Sequence, residues 1–501
     1  MIRHIYPFLL LLALAYACTP EDDFITDSDA ALEFSLDTLR FDTVFTQQGS
    51  ATRILKVYNP HSRSIKIDRI ALEAGDNSFF RINVDGIAAR EVVDVEIAAK
   101  DSLYIFGEVT VDPDQDVSAS PFVIEDRIVF LTNGNDQSVL LEAWGQNANY
   151  IPNRFGRGGI AGVTNCQGDW VWDDPKPYVI FGILFVDDCT LRIPAGTRVY
   201  VHGGFGRVRV PNPEPNSAVD SINQLYNDGR LLIGPTGKLI IEGTADNPVI
   251  IQGDRLEDPF SEVSGQWFGI VLTPGSRGNE IRHAQIKNSI IGVYVDSSAN
   301  LVANSSQFYN TASSGIIGVH SSVNATNCLF YNNGAGAFRG VYGGDYNFDY
   351  CTMASFGVDA SALSLSNLIC LDQLCQEFRA HRLNSRVRNS IIYGSRRDEI
   401  ILSQIEQIPF NYNFDHCVVR VDELDDEAPY TDFFDARCNN CLNAERDEVL
   451  FLDIDEDDYH LDTLSAAEGI ALPIPTIQVD LDNQSRDPNM PDVGCYEYIY
   501  E

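Results

Sequence analysis

From residue 278 onward, apolar and polar positions recur at one long, fixed period. Ile286-Lys-Asn288, Phe308-Tyr-Asn310 and Phe330-Tyr-Asn332 stand 22 residues apart, and Met353-Ala-Ser355 follows after 23. Two positions before them stand Ala284, Ser306, Cys328 and Cys351, and the tracts 346–351 and 412–417 nearly duplicate one another. Self-similarity at such a period marks a solenoid, because one coil has no partner for its apolar face without the next coil. Strand-forming residues and the lack of a leucine-rich consensus predict a parallel β-helix, in which equivalent residues stack about 4.8 Å apart. Ile286, Phe308, Phe330 and Met353 are expected to form an internal apolar ladder. Asn288, Asn310 and Asn332 are expected to form a turn ladder whose amides bond to one another and to the backbone. Cys328 and Cys351 belong inside, as buried thiols in preference to a bridge.

Upstream the period is shorter. Between 32 and 146, short alternating strands such as Leu39-x-Phe41-x-Thr43-x-Phe45 and Ile128-x-Phe130-x-Thr132 are separated by turn residues, among them Asn133-Gly134. That predicts an antiparallel β-sandwich. Residues 147–177, rich in Gly, Asn, Pro and Trp, read as a linker or N-terminal cap. Strand–turn–strand tracts at 191–200, 229–244 and 248–252 then open the helix, which runs over 178–501. The period breaks at 366–388 in a charged insertion, expected to be partly helical over 371–382, and the chain closes in a cap near 445–501. The fold class is therefore all-β: a sandwich followed by a right-handed parallel β-helix of about 22 residues per coil.

The first 18 residues add a compartment. A short polar start precedes the apolar run 8–15, and small residues flank a cysteine in Ala15-Tyr16-Ala17-Cys18. The run is too short to span a bilayer, so it reads as a removed signal. Ordinary secretory cleavage fits the Ala-x-Ala pattern. The segment also resembles a bacterial lipoprotein signal, although Ala15 stands where that signal usually has Leu, and Glu21-Asp22-Asp23 resembles the surface-export signal of Bacteroidetes lipoproteins. Residues 19–31 would form an acidic tether. The segments 41–45, 57–67, 79–86 and 101–106 resemble an immunoglobulin-like domain of those proteins. The opening coils and the ending Asp492-Val-Gly-Cys-Tyr-Glu-Tyr498 resemble their β-helix repeats and C-terminal cap, with Cys495 in place of a small residue. The resemblance to β-helix surface lipoproteins of this type implies lipidation at Cys18 and an outer-membrane and cell-surface location (a secreted protein is the alternative); the sandwich, in which no chemistry is visible, reads as a spacer or docking module.

A formal net charge of −37 argues against a nucleic-acid partner, since phosphate binding needs clustered Lys or Arg. Ten cysteines follow Cys18. Cys438-x-x-Cys441 lacks a second ligand pair for zinc and reads as a disulfide or free pair. Cys370 and Cys375 suit a local bridge, and Cys495 is a candidate partner for Cys438 or Cys441.

Chemistry is sparse. The motif series of polygalacturonase-like enzymes is missing from the repeat frame: Asp187-Asp188 is a lone pair and His202-Gly-Gly204 lacks partners. Arg282, Lys287 and Arg339 form no lyase-like group. Asp453-x-Asp455-x-Asp457 begins like an EF-hand loop but has Asp458 and Leu464 where glycine and glutamate belong, so it, like the run 422–427, reads as a solvated acidic loop. No cofactor is expected, and calcium has no supporting motif. One outward strip stands out: Lys287, Tyr309, Tyr331 and Tyr393 each follow an internal ladder position, and tyrosines in line stack on sugar rings. The alternatives are that tyrosines merely suit a β-surface, or that the 366–388 insertion covers them. The chain thus reads as a non-catalytic, lipid-anchored glycan-binding or adhesion protein, with a membrane partner and a polysaccharide or surface-protein ligand. A groove-acting polysaccharide lyase or hydrolase and a purely structural envelope component remain as alternatives.

Overall fold

The computed structural model describes residues 24–45, 50, 52–110, 122–152, 160–211, 221–227, 229–257, 260–372 and 374–499. The signal segment and Cys18 lie outside the described residues. Two compact units divide at 147/148.

The first unit is a sandwich of two five-stranded sheets, antiparallel except where Thr38–Phe45 runs parallel to Asn135–Gln146. Alternation places Leu55, Val57, Leu103 and Ile105 of one sheet and Ile70, Ile128, Phe130 and Leu141 of the other in a common core. Asn133 (φ 51°) and Gly134 (φ 84°) make the hairpin turn, both in the left-handed region that such two-residue loops require. Residues 24–31, expected in the tether, lie against this unit: Ile25 and Ala30 are buried, and Asn133 donates to the Ile25 carbonyl.

The second unit is a parallel β-helix with three stacked faces. The first face includes Ile183–Asp187, Arg230–Ile233, Gly269–Leu272, Val293–Val295, Leu363–Ser366 and Ile400–Ser403. The second includes Thr190–Pro194, Lys238–Glu242, Asn279–Arg282, Asn300–Asn304, Leu383–Arg388 and Phe410–Asp415. The third is an eleven-stranded parallel sheet that begins at Asn149–Ile151, so the 147–177 segment already supplies rungs. Ile286, Phe308, Phe330 and Met353 pair in register on the third face, all fully buried, with the Phe308 and Phe330 rings stacked at 5.1 Å. This ladder is the repeat read as packing. Truncating one of its phenylalanines would cost about 3–5 kcal/mol.

The turn asparagines depart from expectation. Asn288, Asn310 and Asn332 do occupy left-handed turns, at φ 61°, 50° and 50°. Their amides do not bond to one another: they donate to the Ser261 and Val263 carbonyls, to Glu262 and to Asp457. They fasten outlying segments to the coil.

Cys370–Cys375 and Cys438–Cys441 are disulfides, and so is Cys166–Cys189, which the sequence reading missed. Cys495 is a buried free thiol beside Thr352, so its expected bridge to Cys438 or Cys441 does not form. Cys328, Cys351 and Cys417 are buried thiols too. The insertion is an antiparallel hairpin, Leu368–Cys370 with Phe378–Ala380, and not a helix. Cys370 and Cys375 are bridged near its tip, and Asp372 accepts from the amides of Leu374, Gln376 and Glu377, so these amides are engaged by a side chain and not by helical carbonyls.

Candidate functional site

The tyrosine strip is assembled but covered. Lys287, Tyr309 and Tyr331 stack on successive rungs, Tyr393 follows beyond Ala354, and all point away from the coil interior. Tyr309 and Tyr331 lie ring on ring at 4.6 Å, yet are only 7% and 8% exposed, and Tyr393 is 2% exposed. The C-terminal segment, and not the 366–388 insertion, lies over them. Leu450, Phe451, Tyr459, Leu461, Val493 and Tyr496 form a second apolar core with the strip. Tyr331 meets Tyr459 at 5.1 Å, and the Tyr393 hydroxyl bonds the Glu445 carbonyl at 2.7 Å. Lys287 pairs with Glu262 at 2.9 Å. Burial raises both the Tyr309 and Tyr331 phenols far above their ordinary range. No sugar reaches this strip while the segment is in place. The covering residues are aperiodic, so the repeat frame carries no sign of them.

The acidic motifs resolve into turn chemistry. Asp187 accepts from the amide and hydroxyl of Thr236, and Asp453 accepts from the amide of Asp455. His202 is engaged by Asp254 at 2.6 Å.

A better candidate lies at the corner between the first and second faces. There Ile316–Thr326 and Phe338–Asp349 run unbroken from one face to the other, paired in parallel. Val319 pairs with Val341 but Ser321 with Gly344, so the second strand carries one extra residue at the bend. Such bulges re-aim side chains. His320 (φ 46°) and Tyr342 (φ 63°) occupy the bend, and Gly344 is at φ 133°, where an added Cβ would meet the Tyr346 ring and hydroxyl. The next coil turns the same corner through the hairpin insertion, which delivers His381 and Arg382. The three rings form one cluster: His320 to His381 4.1 Å, Tyr342 to His381 4.7 Å and His320 to Tyr342 5.6 Å between centroids.

Beside the cluster is a cavity of about 240 Å³, lined among others by Arg277, Ser298, Asn300, His320, Asp345 and Arg382. Burial, then His381 and Arg382, hold the His320 imidazole below its ordinary range. Its Nδ1 is buried without a partner. Asp345 is already engaged, by both Arg382 terminal nitrogens at 3.2 Å and by the Asn384 amide at 2.7 Å. The cavity therefore offers mainly donors.

The cavity opens beside the outward surface of the second face, which carries three in-register polar columns. One runs Asn300, Ser322, Asp345, Asn384, Asn411; the next has Asn324, Asn347, Arg386, Asn413; the third has Asn304, Thr326, Asp349, Arg388, Asp415, Asn439. Cross-coil bonds order them: Asn347 to Asn324 at 2.8 Å, Asn411 to Asn384 at 3.0 Å, Arg388 to Asp349 at 2.7 and 2.9 Å, and Asn439 to Asp415 at 2.7 Å. A wider depression of about 630 Å³ at another corner, near Asp359, Arg396, Arg397 and Glu423, has its charges tied in ion pairs. Among the described residues, no group of three or more His, Cys, Asp or Glu is placed to hold a metal.

No family model matches this sequence, and no curated protein does either. Solved structures do. One is a protein of unknown function from Porphyromonas gingivalis, with 13% identity over 28% of this chain and 60% of that one, at a TM-score of 0.18. Another is a family 123 glycoside hydrolase from Clostridium perfringens, with 6% identity over 24% and 30%, at 0.16. A third is the catalytic unit of a family 87 α-1,3-glucanase from Streptomyces thermodiastaticus, with 10% identity over 73% and 77%, at 0.20. The chain thus spans less than two thirds of the first two, and TM-scores this low assign it no activity.

Proposed function

We propose that this chain is an exported glycan-binding protein whose β-helix receives an extended carbohydrate along its second face. The observation that carries this reading is the set of three polar columns between Asn300 and Asn439, half-exposed and ordered by side-chain bonds from coil to coil. Amides, guanidinium groups and carboxylates repeated about every 4.8 Å give a polyhydroxylated chain a matching series of donors and acceptors. Preorganisation by the cross-coil bonds lowers the ordering cost of binding. A screen of the purified chain against neutral and acidic polysaccharides by affinity electrophoresis tests it. Asn347→Ala with Asn384→Ala and Arg386→Ala is expected to weaken retention by about tenfold or more, at about 0.5–1.5 kcal/mol per lost hydrogen bond. Retention unchanged in the triple variant would remove the face from consideration.

The cluster of His320, Tyr342 and His381 favours a second reading, cleavage at the corner, because imidazole and phenol rings are general acid–base groups. The same screen scored for new chain ends tests it: no product from any polysaccharide that binds would leave binding alone.

A further inference from the structure

We propose that the corner cavity is a subsite for one sugar residue bearing an anionic group, a carboxylate or a sulfate, of the chain held on the second face. This rests on the glycan-binding reading and adds the class of ligand. Four observations converge. Arg277 lines the cavity and has no ion-pair partner among the described residues, in a chain where acids outnumber bases 72 to 35. Arg382, opposite charge already satisfied at Asp345 through two of its five N–H groups, retains further donors. Asn300 commits its amide oxygen to the Gly278 amide at 2.7 Å, leaving Nδ2 to donate. His320 lines the cavity with its Nδ1 buried and unpartnered, a polar atom left for a ligand to satisfy.

The charge balance agrees. Among the residues that line the cavity, Arg277 and Arg382 stand against the single carboxylate of Asp345. The acidic remainder of the molecule is screened over about 8 Å at physiological ionic strength, so these local groups decide the sign at the cavity. Guanidinium groups bind carboxylate and sulfate oxygens through charge-assisted hydrogen bonds, and a volume of about 240 Å³ admits a single ring, not an oligosaccharide.

The test compares the full chain on polygalacturonate, on a sulfated galactan and on a neutral galactan, for wild type, Arg277→Gln and Arg277→Lys. The expected result is binding of at least one anionic polymer about tenfold tighter than the neutral one. Arg277→Gln should remove that preference, and Arg277→Lys should restore it in part. The exposed position of Arg277 makes misfolding no explanation, which a thermal melt of the variant verifies. The carboxylated and sulfated arms tell the two sources of charge apart. Equal binding of neutral and anionic polymers, or an Arg277→Gln variant with its preference intact, overturns the subsite and leaves the face standing. Failure to bind any polymer overturns the face as well.

Discussion

Asn389 sits at φ 50° on a turn beside the third face, and its amide exchanges two hydrogen bonds with Leu472, at 2.7 and 2.9 Å. Asn327 repeats the device, donating to the Val479 carbonyl and accepting from Arg486. Asparagine suits both demands, since it tolerates the left-handed region and carries a donor and an acceptor. Asn389→Ala is expected to cost about 3 kcal/mol, from two hydrogen bonds of about 1 kcal/mol each and about 1 kcal/mol of backbone strain. Asn389→Gly should recover only the strain component. Urea midpoints of the two variants check this, and equal losses would mean that strain plays no part. The periodic asparagines were visible in the sequence, and so was their turn position. Their partners were not, because Leu472, Asp457 and Ser261 follow no repeat.

The element that covers the third face is held by its own electrostatics. His460, in the strand Asp458–Leu461, lies between Asp482 and Asp458, at 2.9 and 2.6 Å, with Tyr496 stacked at 3.9 Å. Hydrogen bonding to Asp482, then to Asp458, raises its pKa to about 9. A raised folded-state value means that the charged ring stabilises the fold: the contribution is complete below the ordinary 6.5 and disappears as pH rises through 9. Buried Glu399, pushed up to about 7, acts in the same direction over 4.5 to 7, because its deprotonation opposes folding. Melting temperature is therefore expected to fall between pH 6.5 and 9, and His460→Gln should flatten that interval without altering the fall at lower pH. A His460→Gln profile parallel to wild type would show the ring uninvolved. The coil interior was legible at this scale because Ile286, Phe308, Phe330 and Met353 repeat. The corner site was legible only as an anomaly: the step of 23 from Phe330 to Met353 contains the extra residue at Tyr342, and the break at 366–388 contains His381 and Arg382. Both registered as interruptions of the pattern, since periodicity reports what is stacked and is silent about what a loop brings alongside.

At the scale of the molecule, the three disulfides among the described residues accord with an oxidising compartment, and we propose that the N-terminal segment, which resembles a lipoprotein signal, directs lipid to Cys18. Expression in a bacterial host that processes lipoproteins should put the chain in the membrane fraction, and Cys18→Ala should release it; an unprocessed or soluble wild-type product would contradict the anchor. In the β-helix interior each coil stacks on the coils above and below it, so that core is a sum of near-neighbour terms, to which the C-terminal segment adds contacts across the third face. One extra residue at Tyr342 and a whole hairpin at 368–380 are accommodated at the same corner while Phe330, Met353 and Ile392 stay in line beneath. Lengthening the chain there costs only the slow logarithm of loop closure. The bend at His320 is thus the point where this scaffold is open to revision: sequence can be added or exchanged, and recognition rewritten, with the stack left as it stands.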